Sequence, residues 1–151
     1  MTFLDTWFPG FCAGLDGLDP AARSALLRPC ALVCSESYPV RIVRAAATTA
    51  TNPAEFWRAL EARMDDVHVE EEAEHSAVLT FSRCGCDLVS AGYVTTLSLC
   101  ECSRLSVTHT LEAVFGSGSV EVSLLETILG GAERCRLLVE FSEEQGPTLA
   151  R

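Results

Sequence analysis

Cys84 and Cys86, then Cys100 and Cys102 after a thirteen-residue gap, form two Cys-x-Cys pairs in a chain of 151 residues, and Cys135 follows them. Thiolates in such numbers can hold zinc tetrahedrally. They can also act as nucleophiles, close disulfides or fill a core as small apolar groups. Spacing alone leaves these four open. Zinc knuckles usually carry two or more residues between paired cysteines, whereas one intervening residue on a strand keeps both side chains on one face but about 6–7 Å apart. A metal centre would draw on Cys84, Cys86, Cys100, Cys102 and Cys135, with zinc as the expected ion and iron as the other candidate.

A carboxylate joins this set by phase. Val120, Val122, Leu124 and Glu126 point one way along an alternating run, as do Cys135, Leu137, Val139 and Phe141 in the next. The pattern places Glu126 and Cys135 at one end of a hairpin, both aimed inward. A buried carboxylate needs a partner, a metal or a proton; a twist at the strand end would instead carry Glu126 to solvent. Cys30 and Cys34 stand four apart, which on a helix puts both thiols on one face.

Catalysis would need a base near a thiol. Cys84 or Cys86 is the candidate nucleophile, His109 the candidate base, and Glu112, one turn beyond it, a residue that could orient the imidazole. His109 lies seven residues past Cys102, about 10.5 Å along a helix axis, too far for a direct hydrogen bond between the two. His68 and His75 sit in the acidic stretch HVEEEAEH and read as solvated surface. The run GSGS at 116–119 has no following lysine or helix and reads as a turn, so nucleotide chemistry has no support.

Composition narrows the partners. The formal net charge is −10 and all eleven basic residues are arginine, scattered singly. Phosphate backbones and anionic membranes repel such a chain. The amino-terminal stretch lacks the basic leader and uninterrupted apolar run of a signal peptide or membrane span. A cytoplasmic protein is expected, in which eight cysteines stay reduced.

The elements that must position these residues follow from local signals. Asp19 with Pro20, and Asn52 with Pro53 and Glu55, open two helices, the second as a capping box. Val67 and Val69 share a phase with Ala77, Leu79 and Phe81, which reads as a β-hairpin delivering the chain to Cys84. The segment from Cys100 to Phe115 is helical by the recurrence of Val107, Leu111, Val114 and Phe115, and Gly116 stops it. The expected architecture is one α+β domain over 1–151. It has a helical segment 1–28, a core 30–141 and a tail 142–151, with an antiparallel sheet of four to five strands packed by helices. Phe56, Trp57, Phe81 and Tyr93 are expected to line an apolar pocket for a small apolar or heterocyclic ligand. Phe3, Trp7, Phe8 and Phe11 are expected to cover that pocket or the partner in a homodimer.

The runs CGCDLVSAG, LCECS and LEAVFGSGSVEVSLLETILGGAERCRLLVEF resemble a bacterial family with the pattern Cys-x-Cys-x-Leu-Val, Cys-x-Cys-Ser, Phe-Gly, Val-Glu-Val and Gly-Gly-x-x-x-Cys, over residues 30–141. More distantly the layout is similar to the vinyl-reductase-type small-molecule-binding domain and to the 2-aminothiazoline-4-carboxylate hydrolase family. The resemblance implies a ligand-binding α+β fold. From the sensors it also implies a zinc held by a helix cysteine, here Cys100 or Cys102, with Glu126 and Cys135. The sensors' remaining cysteine falls on Leu129, so that site is not copied intact. Two functions follow as expectations: a small-molecule-binding or sensor-type domain with a metal-binding cysteine centre, or a small hydrolase or thiol-dependent enzyme acting on a heterocyclic or amide substrate.

Overall fold

The computed structural model describes residues 1–143 and 149. Helix α1 (Phe3–Asp16) starts at Thr2, whose hydroxyl accepts from the Asp5 amide while the Asp5 carboxylate accepts from the Thr2 amide. Helix α2 (Pro20–Ser37) opens as the sequence predicts, with the Asp19 carboxylate taking the Ala22 amide. It does not end at residue 28. Pro29 lies inside it, so the expected boundary between an amino-terminal segment and a core falls mid-helix. An interior proline costs a helix about 3 kcal/mol, and the packing of α2 along α6 offsets it.

Helix α3 (Pro39–Thr49) and α4 (Pro53–Glu61) also begin on prolines. At α4 the Asn52 side chain accepts the Glu55 amide, but the Glu55 carboxylate turns to the amide and hydroxyl of Thr51 rather than to Asn52. Only half of the expected capping box forms. Strands β1 (Val67–Ala73) and β2 (Ser76–Phe81) make the expected hairpin, with Val69 opposite Leu79 and Val67 opposite Phe81. A short helix α5 (Asp87–Ser90) and a 3-10 turn at Leu97–Leu99 lead into α6 (Cys100–Phe115). Gly116, at φ 101°, ends α6 in a backbone conformation that a side chain would strain.

Strands β3 (Val120–Glu126) and β4 (Cys135–Phe141) complete a four-stranded antiparallel sheet of order β1-β2-β4-β3. The fold is therefore α+β, as expected. Because directly paired residues share a face, the register puts Val67, Phe81 and Cys135 in one row. Val69, Leu79, Leu137 and Leu124 make the next, and Ala77, Val139 and Val122 the one after. Helices α3, α4 and α6 cover this face, and the core between them holds Phe56, Trp57, Leu60, Leu111, Phe115 and Phe141.

A second apolar cluster lies on the far side of α6. Leu15 of α1, Leu27 and Ala31 of α2, Val94, Leu99 and Leu105 pack there, with Cys86, Cys102 and Tyr93 at its margin. Helix α6 thus separates two cores, which decides where its two cysteines point.

Candidate functional site: cysteines around one end of the sheet

Three elements end at the same place. Strand β2 stops at Phe81, three residues before Cys84; β4 begins at Cys135, directly opposite Phe81; and α6 begins at Cys100 over the same face. Cys84, Cys86, Cys100 and Cys135 therefore gather around one corner of the sheet, each thiol close enough to Cys100 to act on its charge. Burial pushes the thiols of Cys84 and Cys100 above the usual range, and the neighbouring thiols add to it.

Hydrogen bonds oppose that burial. At Cys84 the Cys86 backbone amide lowers the pKa against the larger effect of burial. The Ile128 amide donates to Cys135 Sγ at 3.3 Å, and the Thr127 hydroxyl lowers the pKa of the Cys100 thiol against the larger effect of burial. Donors aimed at sulfur favour the thiolate, the form that binds metals and electrophiles. Thr127 and Ile128 belong to the β3–β4 turn, which folds back through Gly131 at φ 97°, a conformation suited to glycine. Composition and phase gave no signal for these two donors, because only the folded turn brings them to the sulfurs.

Cys102 is not part of this corner. Two residues along a helix turn a side chain by about 200°, so with Cys100 over the sheet Cys102 faces α2. There burial, and then the thiols of Cys34, Cys30 and Cys86, push the Cys102 thiol up to about 12. Cys34 is raised by burial first and then by Cys86 and Asp87, while a hydrogen bond with Ser106 opposes the shift. The expected five-cysteine centre is thus divided by α6, with Cys86 near both parts. Among the described residues, no three His, Cys, Asp or Glu side chains are drawn together as a metal-ligand set.

Glu126 also leaves the expected set. The pairing slips between Leu124 and Glu126, so Glu126 lies opposite Arg136 instead of continuing the inward row. A bulge of this kind re-aims the side chain, and the carboxylate meets Arg134 Nε at 3.2 Å on the surface.

The catalytic candidates do not converge. His109 Nε2 meets the Glu36 carboxylate of α2 at 3.1 Å. Glu112 accepts the Gly118 amide at 2.9 Å and so closes the turn after α6. Neither stands beside Cys84 or Cys86 among the hydrogen bonds of the described residues, and the expected orientation of His109 by Glu112 is replaced by two separate contacts.

The four expected pocket residues are likewise dispersed. Phe56 and Trp57 are fully buried and pack edge-on at 4.9 Å, with Phe56 edge-on to Phe115 at 5.1 Å. Phe81 lies at the rim of the same core. Tyr93 belongs to the other cluster and stacks on Phe8 at 5.1 Å. They fill two cores rather than line one cavity. A groove of about 530 Å³ opens elsewhere, between the end of α3 and the last turns of α6. Arg44, Thr48 and Thr51 give it a polar side, and Ala50 and Val114, both members of the core, form its floor. No sequence period marked it, since its walls come from two helices and Leu149.

No protein-family model matches this chain. No curated protein matches it in sequence. Among solved structures, it is similar to a crystal structure of the phenol-responsive sensory domain of the transcription activator PoxR with phenol. The TM-score is 0.56 at 14% identity, over 93% of this chain and 75% of that one. It is also similar to a trafficking protein particle complex subunit 3 from Naegleria fowleri covalently bound to palmitic acid, with a TM-score of 0.45 at 12% identity, over 98% of this chain and 96% of that one. The first likeness shows a shared fold.

Proposed function

We propose that this chain is a small-molecule-binding domain of the sensor type, with a metal-binding thiol centre at Cys84, Cys86, Cys100 and Cys135. The observation that carries the first half is the fold it shares with a phenol-responsive sensory domain across 93% of its length. Fold alone does not name a ligand. The groove between α3 and α6 suits a small aromatic or heterocyclic molecule with one polar group, because an apolar floor meets a polar wall bearing Arg44. Helix α6 runs from Cys100 at the thiol corner to Ala113 and Val114 in the groove, so one rigid element touches both.

Support for the metal comes from the donors. The Ile128 amide points at the Cys135 sulfur at 3.3 Å, and the Cys86 backbone and Thr127 hydroxyl partly offset the burial that raises Cys84 and Cys100. Four thiolates would hold zinc in a closed, structural site, and such a site stabilises the fold without offering an open position for catalysis. Loading it requires the thiols to rotate toward one another about their side-chain torsions.

Elemental mass spectrometry on protein purified under reducing conditions, with a free-thiol count, tests the metal. About one zinc per chain and roughly four protected thiols are expected, with the metal lost in Cys100→Ser. Calorimetric titration with phenol as the first probe, repeated on Arg44→Ala and Thr48→Val, tests the groove. Metal-free protein with eight titratable thiols sinks the centre. Phenol binding unaffected by either groove substitution removes the groove as the ligand site.

Assembly is the remaining part of this reading. Phe3, Leu4 and Trp7 of α1 stand exposed, with Trp7 stacked on Phe11. A homodimer through α1 would cover them, and its formation should be weakened by Trp7→Ser in light scattering.

A further inference from the structure

Among the described residues that line the groove between α3 and α6, Arg44 is the single charged one and none is acidic. The groove's hydroxyls are already engaged. Thr48 donates to the Ala45 carbonyl at 2.7 Å, Thr49 to the Ala46 carbonyl at 3.3 Å and Thr51 to the Glu55 carboxylate at 2.7 Å. Their oxygens can still accept, but the uncommitted side-chain donors are those of Arg44. No ion pair of the described residues involves Arg44, whereas Arg41, one turn earlier on α3, donates to the Ser37 carbonyl at 2.8 Å. An unpaired guanidinium presents a planar fork of N–H groups that matches a carboxylate through two parallel bonds.

The two ends of the groove differ in charge. At the far end the last carbonyls of α3 form the negative pole of the helix, and the Glu55 carboxylate stands beside Thr51. Hydrogen bonds from the Thr51 amide and hydroxyl hold the Glu55 carboxyl below its ordinary range, so it is ionised at neutral pH. An anion is therefore disfavoured at Thr51 and favoured at Arg44. Arg44 lies five residues before Thr49, about 7.5 Å along the helix axis. The surface between them is apolar, with Ala47 and Ala50 on one side and Val114 of α6 on the other. One aromatic ring with one substituent spans that length.

We propose that the groove takes an aryl carboxylate, with the carboxylate on the Arg44 fork and the ring over Ala47, Ala50 and Val114. This rests on the groove being the ligand site, and it goes further by fixing the charge and the position of the ligand's polar group. A neutral aryl alcohol or amide meets the same apolar floor but leaves Arg44 without an ionic partner.

Benzoate is the probe, and benzamide, nearly the same in shape but uncharged, is its comparison. Chemical shifts of the isotope-labelled full-length protein are followed at neutral pH as each is added, with the Arg44 side-chain N–H signal read directly. Benzoate should bind about fivefold or more tighter than benzamide. Arg44 is exposed, so its substitution leaves the core intact. Arg44→Gln should remove the preference for benzoate, and Arg44→Lys, which keeps the charge but not the fork, should retain part of it. Arg41→Gln takes the same charge from α3 outside the groove and should leave the preference in place. Ala113→Leu, which narrows the groove from the α6 side, should weaken both probes. Benzamide binding as tightly as benzoate, or a preference that survives Arg44→Gln, overturns the carboxylate assignment while the response to Ala113→Leu still reports the groove. Binding of both probes that ignores Ala113→Leu, or no binding of either, removes the groove as the ligand site and this proposal with it.

Discussion

Whether Phe56 fills a core or lines a pocket has a measurable consequence. Its side chain is fully buried, with Trp57 edge-on at 4.9 Å and Phe115 edge-on at 5.1 Å. Truncation by Phe56→Ala removes the buried ring and leaves a cavity that these rigid neighbours cannot close. Substitutions of this kind cost about 3–5 kcal/mol, and the two lost aromatic contacts place this one toward the upper end. For 151 residues the unfolding entropy is roughly 0.3 kcal/mol per degree. A loss of about 4 kcal/mol then lowers the melting temperature by roughly 12 °C.

Urea denaturation followed by tryptophan fluorescence measures this directly, since Trp57 lies against the site. Equal slopes for the two proteins would show that only stability changed. A pocket-lining phenylalanine would behave differently: its loss would leave stability within about 1 kcal/mol and remove ligand affinity instead. That second pattern would refute the assignment of Phe56 to the core. Phe81→Ala, at the core's rim, should cost less than Phe56→Ala in the same assay.

Other perturbations read separate parts of the structure. The Asp16 carboxylate takes hydrogen bonds from Ser98, at 2.6 Å, and from Thr96, and these hold its pKa below the usual aspartate range. A lowered folded-state pKa contributes stability above the unfolded value, lost as pH falls through the folded one. Asp16→Asn should therefore speed amide exchange in residues 3–16 at neutral pH, and the two proteins should converge in acid; equal exchange at neutral pH would sink the clamp. Gly131→Ala, at φ 97°, should destabilise the β3–β4 turn by about 1 kcal/mol or more, and Thr127→Val should raise the alkylation pH of Cys100 by removing its hydroxyl donor. An unchanged melting curve for the first, or an unchanged alkylation profile for the second, counts against those assignments.

Local periods carried most of the fold. The Cys100–Phe115 helix, the Val67–Phe81 hairpin and the inward rows of β3 and β4 were legible because each rests on spacing within one element. What escaped depends on contacts between elements. The boundary expected after residue 28 falls inside α2, because the helix continues through Pro29 against its neighbour α6. The phase left Glu126 either inward or twisted out to solvent at the strand end, and a bulge one residue earlier carries it outward to Arg134. Phe56, Trp57, Phe81 and Tyr93 are aromatic in any arrangement, and only the position of α6 sends three of them to one core and the fourth to another.

The same dependence explains the cysteines. Cys-x-Cys means opposite things on different backbones: an extended segment keeps both side chains on one face, whereas a helix turns them about 200° apart. Cys84 and Cys86 occupy non-helical backbone, ahead of the short helix that Cys86 caps. Cys100 and Cys102 open a helix, so the repeated motif splits, one thiol joining the sheet corner and the other joining α2. A symmetric four-thiol centre required both pairs to be extended. With one pair helical, the fourth thiol at the corner is Cys135, and Cys102 is released to the partners on α2. The corner then has its own test: its metal should survive Cys102→Ser and be lost in Cys135→Ser. Loss of the metal in Cys102→Ser would mean that the thiols act as one centre after all.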